Sequence, residues 1–276
     1  MTSLKQIAGS MIVIGIVLAI IGYASGGKWF FTINNNGFQV PKEQSFVTNL
    51  YELDPFTTIN IDIEHGDVEI LPSDSYSIEV SSFESADVTH EVKSGTLTVD
   101  AKKSKDNGIT IGFGSFETPT IKIYVPKDAK LSNIALNSSF GDVNLEHLNF
   151  QKLNLIVKHG DLSMENIVSA HTEITQSFGD ISLQQFSSTS FVAESEHGDI
   201  EIDGELKGKS TITSSFGDID LQLLNKESEL GLDLNMNFGE ISFNDQSIEG
   251  DFSQSHNGDN QLQVSLSHGD LDLSLK

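Results

Sequence analysis

The sequence predicts an all-β protein, a single-stranded parallel β-solenoid with coils of about 19 residues behind one membrane-spanning helix. Three observations predict it. A short phrase occurs eight times: an aromatic ring or His, then Gly, then an acid, then an apolar–polar–apolar triplet. It reads HGDVEI from His65, FGDVNL from Phe140, HGDLSM from His159, FGDISL from Phe178, HGDIEI from His197, FGDIDL from Phe216, FGEISF from Phe238 and HGDLDL from His268. Gly141, Gly160, Gly179, Gly198 and Gly217 are each 19 residues apart, and the next step, to Gly239, is 22. Finally, the chain opens on an apolar run unlike anything that follows.

That run, 7–24 (IAGSMIVIGIVLAIIGYA), has 18 residues and no charge. At about 1.5 Å per residue it covers roughly 27 Å, close to the hydrocarbon thickness of a bilayer. Lys5 precedes it and all 40 acids follow it, so the positive-inside rule keeps the amino end in the cytoplasm and exports the body. Residues 1–27 therefore read as a transmembrane anchor or uncleaved signal. A cleavable signal peptide is the competing reading, but Gly22-Tyr23-Ala24 is a poor cleavage site and the apolar core exceeds a usual h-region.

Residues 28–55 read as a linker or cap, with a turn signal at Asn34-Asn35-Asn36-Gly37 and interruptions at Pro41 and Pro55. The solenoid domain covers 56–276. Ile59, Ile61 and Ile63 alternate before His65-Gly66-Asp67, and Val68 and Ile70 continue after it, which reads as strand, kink, strand. Residues 56–130 are irregular coils of one sheet system. Here Gly95 marks a degenerate copy, 102–108 a polar loop, and 109–111 and 121–125 strands, the second stopped by Pro126. Residues 131–276 are regular coils. Apolar residues follow each Gly-acid pair at the first and third positions: Val143 and Leu145, Leu162 and Met164, Ile181 and Leu183, Ile200 and Ile202, Ile219 and Leu221, Ile241 and Phe243. Further hits at Leu148, Ile167, Phe186 and Leu223, and at Leu155, Ile174, Val192 and Ile212, give about three short strands per coil. Asn257-Gly258-Asp259 keeps the 19-residue step from Gly239, yet no alternation leads into it, so it reads as a turn.

A unit this small cannot bury its own apolar face, and stacking units does. Like positions then form columns about 4.8 Å apart. Parallel crossovers favour a right-handed coil. An antiparallel sandwich also alternates, but it has no reason for a constant period. The glycine of the phrase is expected at positive φ or at a bulge, and the Asp beside it is expected to accept backbone N–H groups. The ring before it, if it points inward, forms an aromatic–imidazole ladder. The chain stops at Leu273-Ser274-Leu275-Lys276 with nothing to cover it, so an open strand edge and weak self-association are expected there.

Composition excludes whole classes. Forty acids against 16 Lys and no Arg give a net charge of −24, a field that repels nucleic acid. With no Cys there is no disulfide, thiolate ligand or thiol nucleophile. The column Asp142, Asp161, Asp180, Asp199, Asp218 and Glu240 is the best candidate for a divalent cation. The tandem nonapeptide of calcium-binding β-rolls is absent, so the column is assigned to the turn. His159 and His197 fall two coils apart, roughly 10 Å, too far to share a metal. With His65 and His268 they read as packing or edge residues, or as a pH-responsive ladder. His90, His147, His171 and His256 share no register and read as surface residues. No nucleophile elbow, zinc-protease helix motif or phosphate-cradling loop is present. No catalytic, cofactor-binding or metal residue is assigned, and no cofactor.

One segment resembles a known family. IKIYVPKDAKL from Ile121, then Ile134 to Leu136, then Phe140-Gly141-Asp142-Val143, and serial Gly-Asp coils behind one amino-terminal anchor are similar to the bacterial putative-adhesin family. This family has largely unknown functions and includes LiaG-like envelope proteins of Gram-positive bacteria. The resemblance covers 56–276. It implies an extracytoplasmic β-solenoid, for some members a place in envelope stress responses, and no catalytic residues to carry over.

Together these readings predict a non-enzymatic, single-pass protein of the cell membrane, held by its amino-terminal helix with the carboxyl-terminal domain extracytoplasmic. Its expected role is adhesin-like binding or scaffolding, with a cell-envelope protein or wall polymer as partner and no nucleic acid. Two other classes stay open: a polysaccharide-active enzyme on a β-helix, using a carboxylate pair outside the repeat, and a calcium-stabilised structural solenoid.

Overall fold

The computed structural model describes residues 2–25, 30–34, 37–39, 45–83, 87–102, 109–112, 118–256 and 258–276. The chain divides into two compact units, Met1–Ser45 with Ser104–Glu117, and Phe46–Lys103 with Thr118–Lys276. The first holds a helix, Thr2–Ala24, and an antiparallel sheet in which Phe30–Asn34 lies between Gly37–Gln39 and Ile109–Gly112. The 109–111 strand was expected in the main sheet and pairs instead with Phe30–Asn34. Alternation marks a strand without naming its neighbour. Pro41, Asn35-Asn36 and 103–108, most of the expected polar loop, lie outside the described residues. Among the described residues no helix is long and apolar enough to cross a membrane; the described side chains of Thr2–Ala24 cover 8–22.

In the second unit the 19-residue period becomes a parallel register. Leu131–Ser138 lies on the second half of Val143–His159, with Leu136 beside Leu155. The same offset then repeats from Leu155 to Ile174, Ala193 and Ile212. Every second side chain points into the stack, so identical coil positions make continuous apolar columns. One wall reads Val99, Ile61, Leu136, Leu155, Ile174, Ala193, Ile212, Val264, Leu234, all nearly inaccessible. The facing wall reads Ile123, Ile70, Leu145, Met164, Leu183, Ile202, Leu221, Leu273, Phe243. Each coil buries little by itself, and burial of roughly 1.5–3 kcal/mol per large side chain accrues only as neighbours stack.

The coils turn at a recurrent glycine corner, and three of them share a second. At the first, the repeat glycines adopt φ between 123° and 140°. There is also no room for a side chain, because a Cβ built on Gly160 runs into the carbonyl oxygen of Gly141, and the clash recurs from coil to coil. The second corner uses His147, Asn166 and Gln185, all left-handed at φ 51–54° and again 19 residues apart. His147 is exposed as expected, and it shares its register with Asn166 and Gln185, not with another His. That register was hidden because the corner needs a conformation that short polar residues tolerate, not one residue type.

The order of coils departs from the order in sequence at both ends. Gln261–His268 lies between Lys209–Phe216 and Gly231–Phe238. Leu271–Leu275 likewise lies between Ile219–Leu223 and Ile241–Phe243. The last coil in sequence is thus the penultimate coil in space. The outermost coil is closed by antiparallel Gln246–Ile248 and Phe252–Gln254. The open edge expected at Leu273–Lys276 is therefore absent. Leu275 N–H donates to Asn244 Oδ1 at 2.9 Å, and Lys276 N–H to the Asn225 carbonyl at 3.1 Å. The segment between Phe243 and Gln261 is long enough to run outward and return, which a count of residues per period does not reveal.

The amino end of this unit mirrors the arrangement. Thr58–Ile63 lies between Leu131–Ser138 and Thr96–Lys102, and Asp67–Ser73 between Val143–His159 and Thr120–Pro126. Beyond them run antiparallel Ser77–Phe83, Phe46–Glu52 and Asp87–Lys93. Gly95 is not a coil corner. With Ser94 it forms the tight turn joining Asp87–Lys93 to Thr96–Lys102, at φ 74° and 52°, the geometry of a two-residue hairpin.

These two kinds of glycine separate experimentally. Gly179→Ala meets both positive φ and the Gly160 carbonyl, and should cost more than about 3 kcal/mol. Gly95→Ala has open space and should cost about 1 kcal/mol. Urea midpoints of the two variants measure the difference, and equal losses would contradict corner stacking as the controlling contact.

Candidate functional site: the ring and carboxylate ladders

The Gly corner places two side-chain ladders on the outside of the stack. In spatial order the rings are His65, Phe140, His159, Phe178, His197, Phe216, His268 and Phe238. Neighbouring centroids are 4.7–5.0 Å apart and ring planes 9–20° from parallel. The alternation of His and Phe is unbroken in space, although in sequence Phe238 follows Phe216. Insertion of the last coil restores it.

The ladder faces solvent and is not an inward column. Phe140, Phe178 and Phe216 are 45–46% exposed. Counting by twos from Leu136 and buried Ser138 places Phe140 inside, but the strand ends at Ser138, and parity is lost at the corner. Each stacked pair contributes about 0.5–1.5 kcal/mol beyond its buried area. Stacking also covers the ring faces, leaving edges to solvent. Phe238, the last ring, is 65% exposed and keeps its outer face open. His159 and His197 are separated by Phe178, 5.0 and 4.8 Å from each, and so do not converge on a metal.

The carboxylates beside the rings are engaged. Oδ1 of Asp67 accepts the backbone N–H of Asp142 at 2.9 Å, Asp142 that of Asp161, Asp161 that of Asp180, and Asp180 that of Asp199. Asp199 continues to Asp218, Asp218 to Asp270, and Asp270 to Glu240, at 2.8–2.9 Å. Each Asp thus satisfies the next corner of the stack. The one Glu of the series occupies the outermost coil, where no further corner follows. Among the described residues no group of three or more His, Cys, Asp or Glu is arranged to hold a metal. At the start of the row, burial raises the Asp67 carboxyl above its usual range. The Asp142 N–H opposes this, and the charges of Asp142 and Glu69 add to it. A raised native value means that Asp67 contributes stability only as pH falls through that value.

Two depressions lie away from the ladders. A groove of about 320 Å³ crosses the outer face of the first coils, beside Asn60, Thr98, Ala135, Asn137, Asn154 and Ile156. A cleft of about 340 Å³ lies between Phe46–Glu52, Ser77–Phe83 and Asp87–Lys93, lined by Val47, Asn49, Tyr51, Val80, Val88 and His90 among others. His90, expected on the surface, is half-buried there with its ring 4.6 Å from that of Tyr51. Burial pushes its pKa below the usual value. Sequence reasoning missed this because Tyr51, which packs on the ring, comes from a strand far from His90 along the chain. His171 is also half-buried, with Nδ1 3.1 Å from Ser190 Oγ.

A family model, Toastrack DUF4097, matches residues 56–274. The chain belongs to the Toastrack DUF4097 family. This match begins where the alternation begins and ends with the inserted last coil. No curated protein matches the chain in sequence. Among solved structures, a putative adhesin from Bacteroides fragilis is similar with TM-score 0.53 at 17% identity, covering 84% of this chain and all of that one. A putative cell adhesion protein from Clostridium sporogenes gives 0.43 at 14%, covering 84% and 100%. A putative lipid binding protein from Parabacteroides distasonis gives 0.43 at 16%, covering 84% and 97%. At these identities the likeness to the first of them shows the fold alone.

Two expectations follow from the site. Asp180→Ala removes the acceptor for Asp199 N–H and should cost about 1 kcal/mol, by the same amount in calcium and in chelator. Glu240→Ala should stay within about 0.5 kcal/mol. Thermal melts of both variants in each buffer are the check, and a calcium-dependent loss at Asp180 would return the row to metal binding. For His90, the native pKa lies below the unfolded one, so the unfolded chain binds the proton first. Its contribution is intact above about pH 6.5 and drains as pH falls below it. His90→Phe should therefore flatten the decline of stability between pH 7 and 5 relative to the parent chain, as measured by urea unfolding across that range.

Proposed function

We propose that this chain is a non-enzymatic, single-pass protein of the cell membrane that displays its β-solenoid outside the cytoplasm as an adhesin-like binding or scaffolding surface. The observation that carries the reading is an apolar helix joined to a solenoid whose repeated polar groups already serve one another. Met11, Ile12, Val13, Ile14, Ile16, Val17, Leu18, Ile20 and Ile21 are all exposed on that helix. Water is a poor solvent for such a surface, and a bilayer is a good one. The uncharged run of 18 residues supports the same assignment.

The repeat itself offers binding area more than chemistry. Its acids accept backbone N–H groups, and its rings cover one another. The Bacteroides fragilis structure carries the name of a putative adhesin. An envelope protein or wall polymer is the class of partner that suits a long, acidic, regular surface on the outside of a cell. A LiaG-like role among envelope stress proteins belongs to this reading.

Fractionation tests the anchor. The full chain should remain in carbonate-washed membranes, and a variant lacking residues 1–27 should be released. Protease added to intact spheroplasts should degrade the solenoid. Protection of the solenoid in spheroplasts, extraction of the full chain by carbonate, or turnover of wall polysaccharides by the purified protein would overturn the proposal.

A further inference from the structure

Among the described residues of the second unit, four strands pair on one side only: Phe46–Glu52, Asp87–Lys93, Gln246–Ile248 and Phe252–Gln254. An unpaired strand edge invites another strand, and proteins blunt such edges by shortness, charge, proline or a bulge. Gln246–Ile248 and Phe252–Gln254 have three residues each. Asp87–Lys93 (DVTHEVK) carries Asp87, Glu91 and Lys93. Phe46–Glu52 (FVTNLYE) uses none of these devices. It has seven residues and a single charge, at its last position, and its register with Ser77–Phe83 is continuous over all seven. Leu50 is 63% and Tyr51 43% exposed.

We propose that Phe46–Glu52 pairs with the same strand of a second copy of this chain, antiparallel about a two-fold axis through Asn49. In this register Asn49 faces Asn49 of the second copy, Thr48 faces Leu50, Val47 faces Tyr51 and Phe46 faces Glu52. All seven residues pair, and no acid meets an acid. A shift by two residues leaves two residues of each strand unpaired, and a shift by one puts each inner face beside an outer face. Charge favours the site as well. Each copy carries −24, and two such molecules approach most easily where charge is sparse. A two-fold contact needs a self-complementary patch, and this strand is one. The Val47 and Tyr51 pairs extend the wall of the cleft that holds His90. The inference does not depend on where in the cell the chain resides.

The absence of Cys makes the test clean. The full chain carrying Asn49→Cys, solubilised in mild detergent and oxidised, should form a disulfide-linked dimer. Glu52→Cys should not, because its two copies lie six residues out of register, roughly 20 Å apart. Adding Leu50→Lys to the Asn49→Cys chain should lower the linked fraction at least fivefold. Light scattering should show a dimer for the parent chain and a monomer for Leu50→Lys, which should still unfold cooperatively since Leu50 is exposed. Equal linkage at positions 49 and 52, a dimer insensitive to Leu50→Lys, or a parent chain that is monomeric at every concentration overturns the proposal.

Discussion

The solenoid depends on one contact, the backbone of each Gly-Asp corner lying directly on the next. The carbonyl of one repeat glycine occupies the space where the following glycine would carry a side chain. The carboxylate beside it holds the N–H of the neighbouring corner. With both fixed, the strands on either side fall into parallel register, and the rings fall onto each other at the same spacing. Sheet, core and ladder are consequences of that corner.

A stack built this way must still end. This chain ends it identically in principle at both sides. The first coil in sequence and the last coil in sequence are each held between two others, and the outermost coil is covered by antiparallel strands. A terminal coil that would fray is thereby given two neighbours. Glu240 and Phe238 fit the outermost position. The acid there has no following corner to hold, and the ring keeps one face open.

The chemistry of the repeat is inward-looking even though the ladders sit outside. Seven carboxylates of the row hold backbone, and most ring faces are covered, so repetition yields stiffness and surface more than a reactive centre. The features able to meet other molecules lie where the repeat fails. These are the apolar helix, the cleft around His90 and Tyr51, and the unprotected strand Phe46–Glu52. The binding role proposed above draws on that division of labour.

Much of this was legible in spacing alone. The 19-residue step and the recurrence of Gly-Asp specified parallel coils and a glycine corner, because a steric requirement repeats wherever the geometry repeats. The assignment of Asp142 to Asp218 to the turn was equally local. The outward ladder was not legible, since alternation fails once a strand ends at Ser138. The half-buried setting of His90 was not legible either, because its ring partner Tyr51 comes from a distant strand. Period, stacking and corner could be read from the chain, because they rest on short-range sterics and hydrogen bonding. The order of coils, the closure of the carboxyl end and the place of the open edge emerge only in three dimensions, because near-identical units carry no mark of which neighbour each will choose.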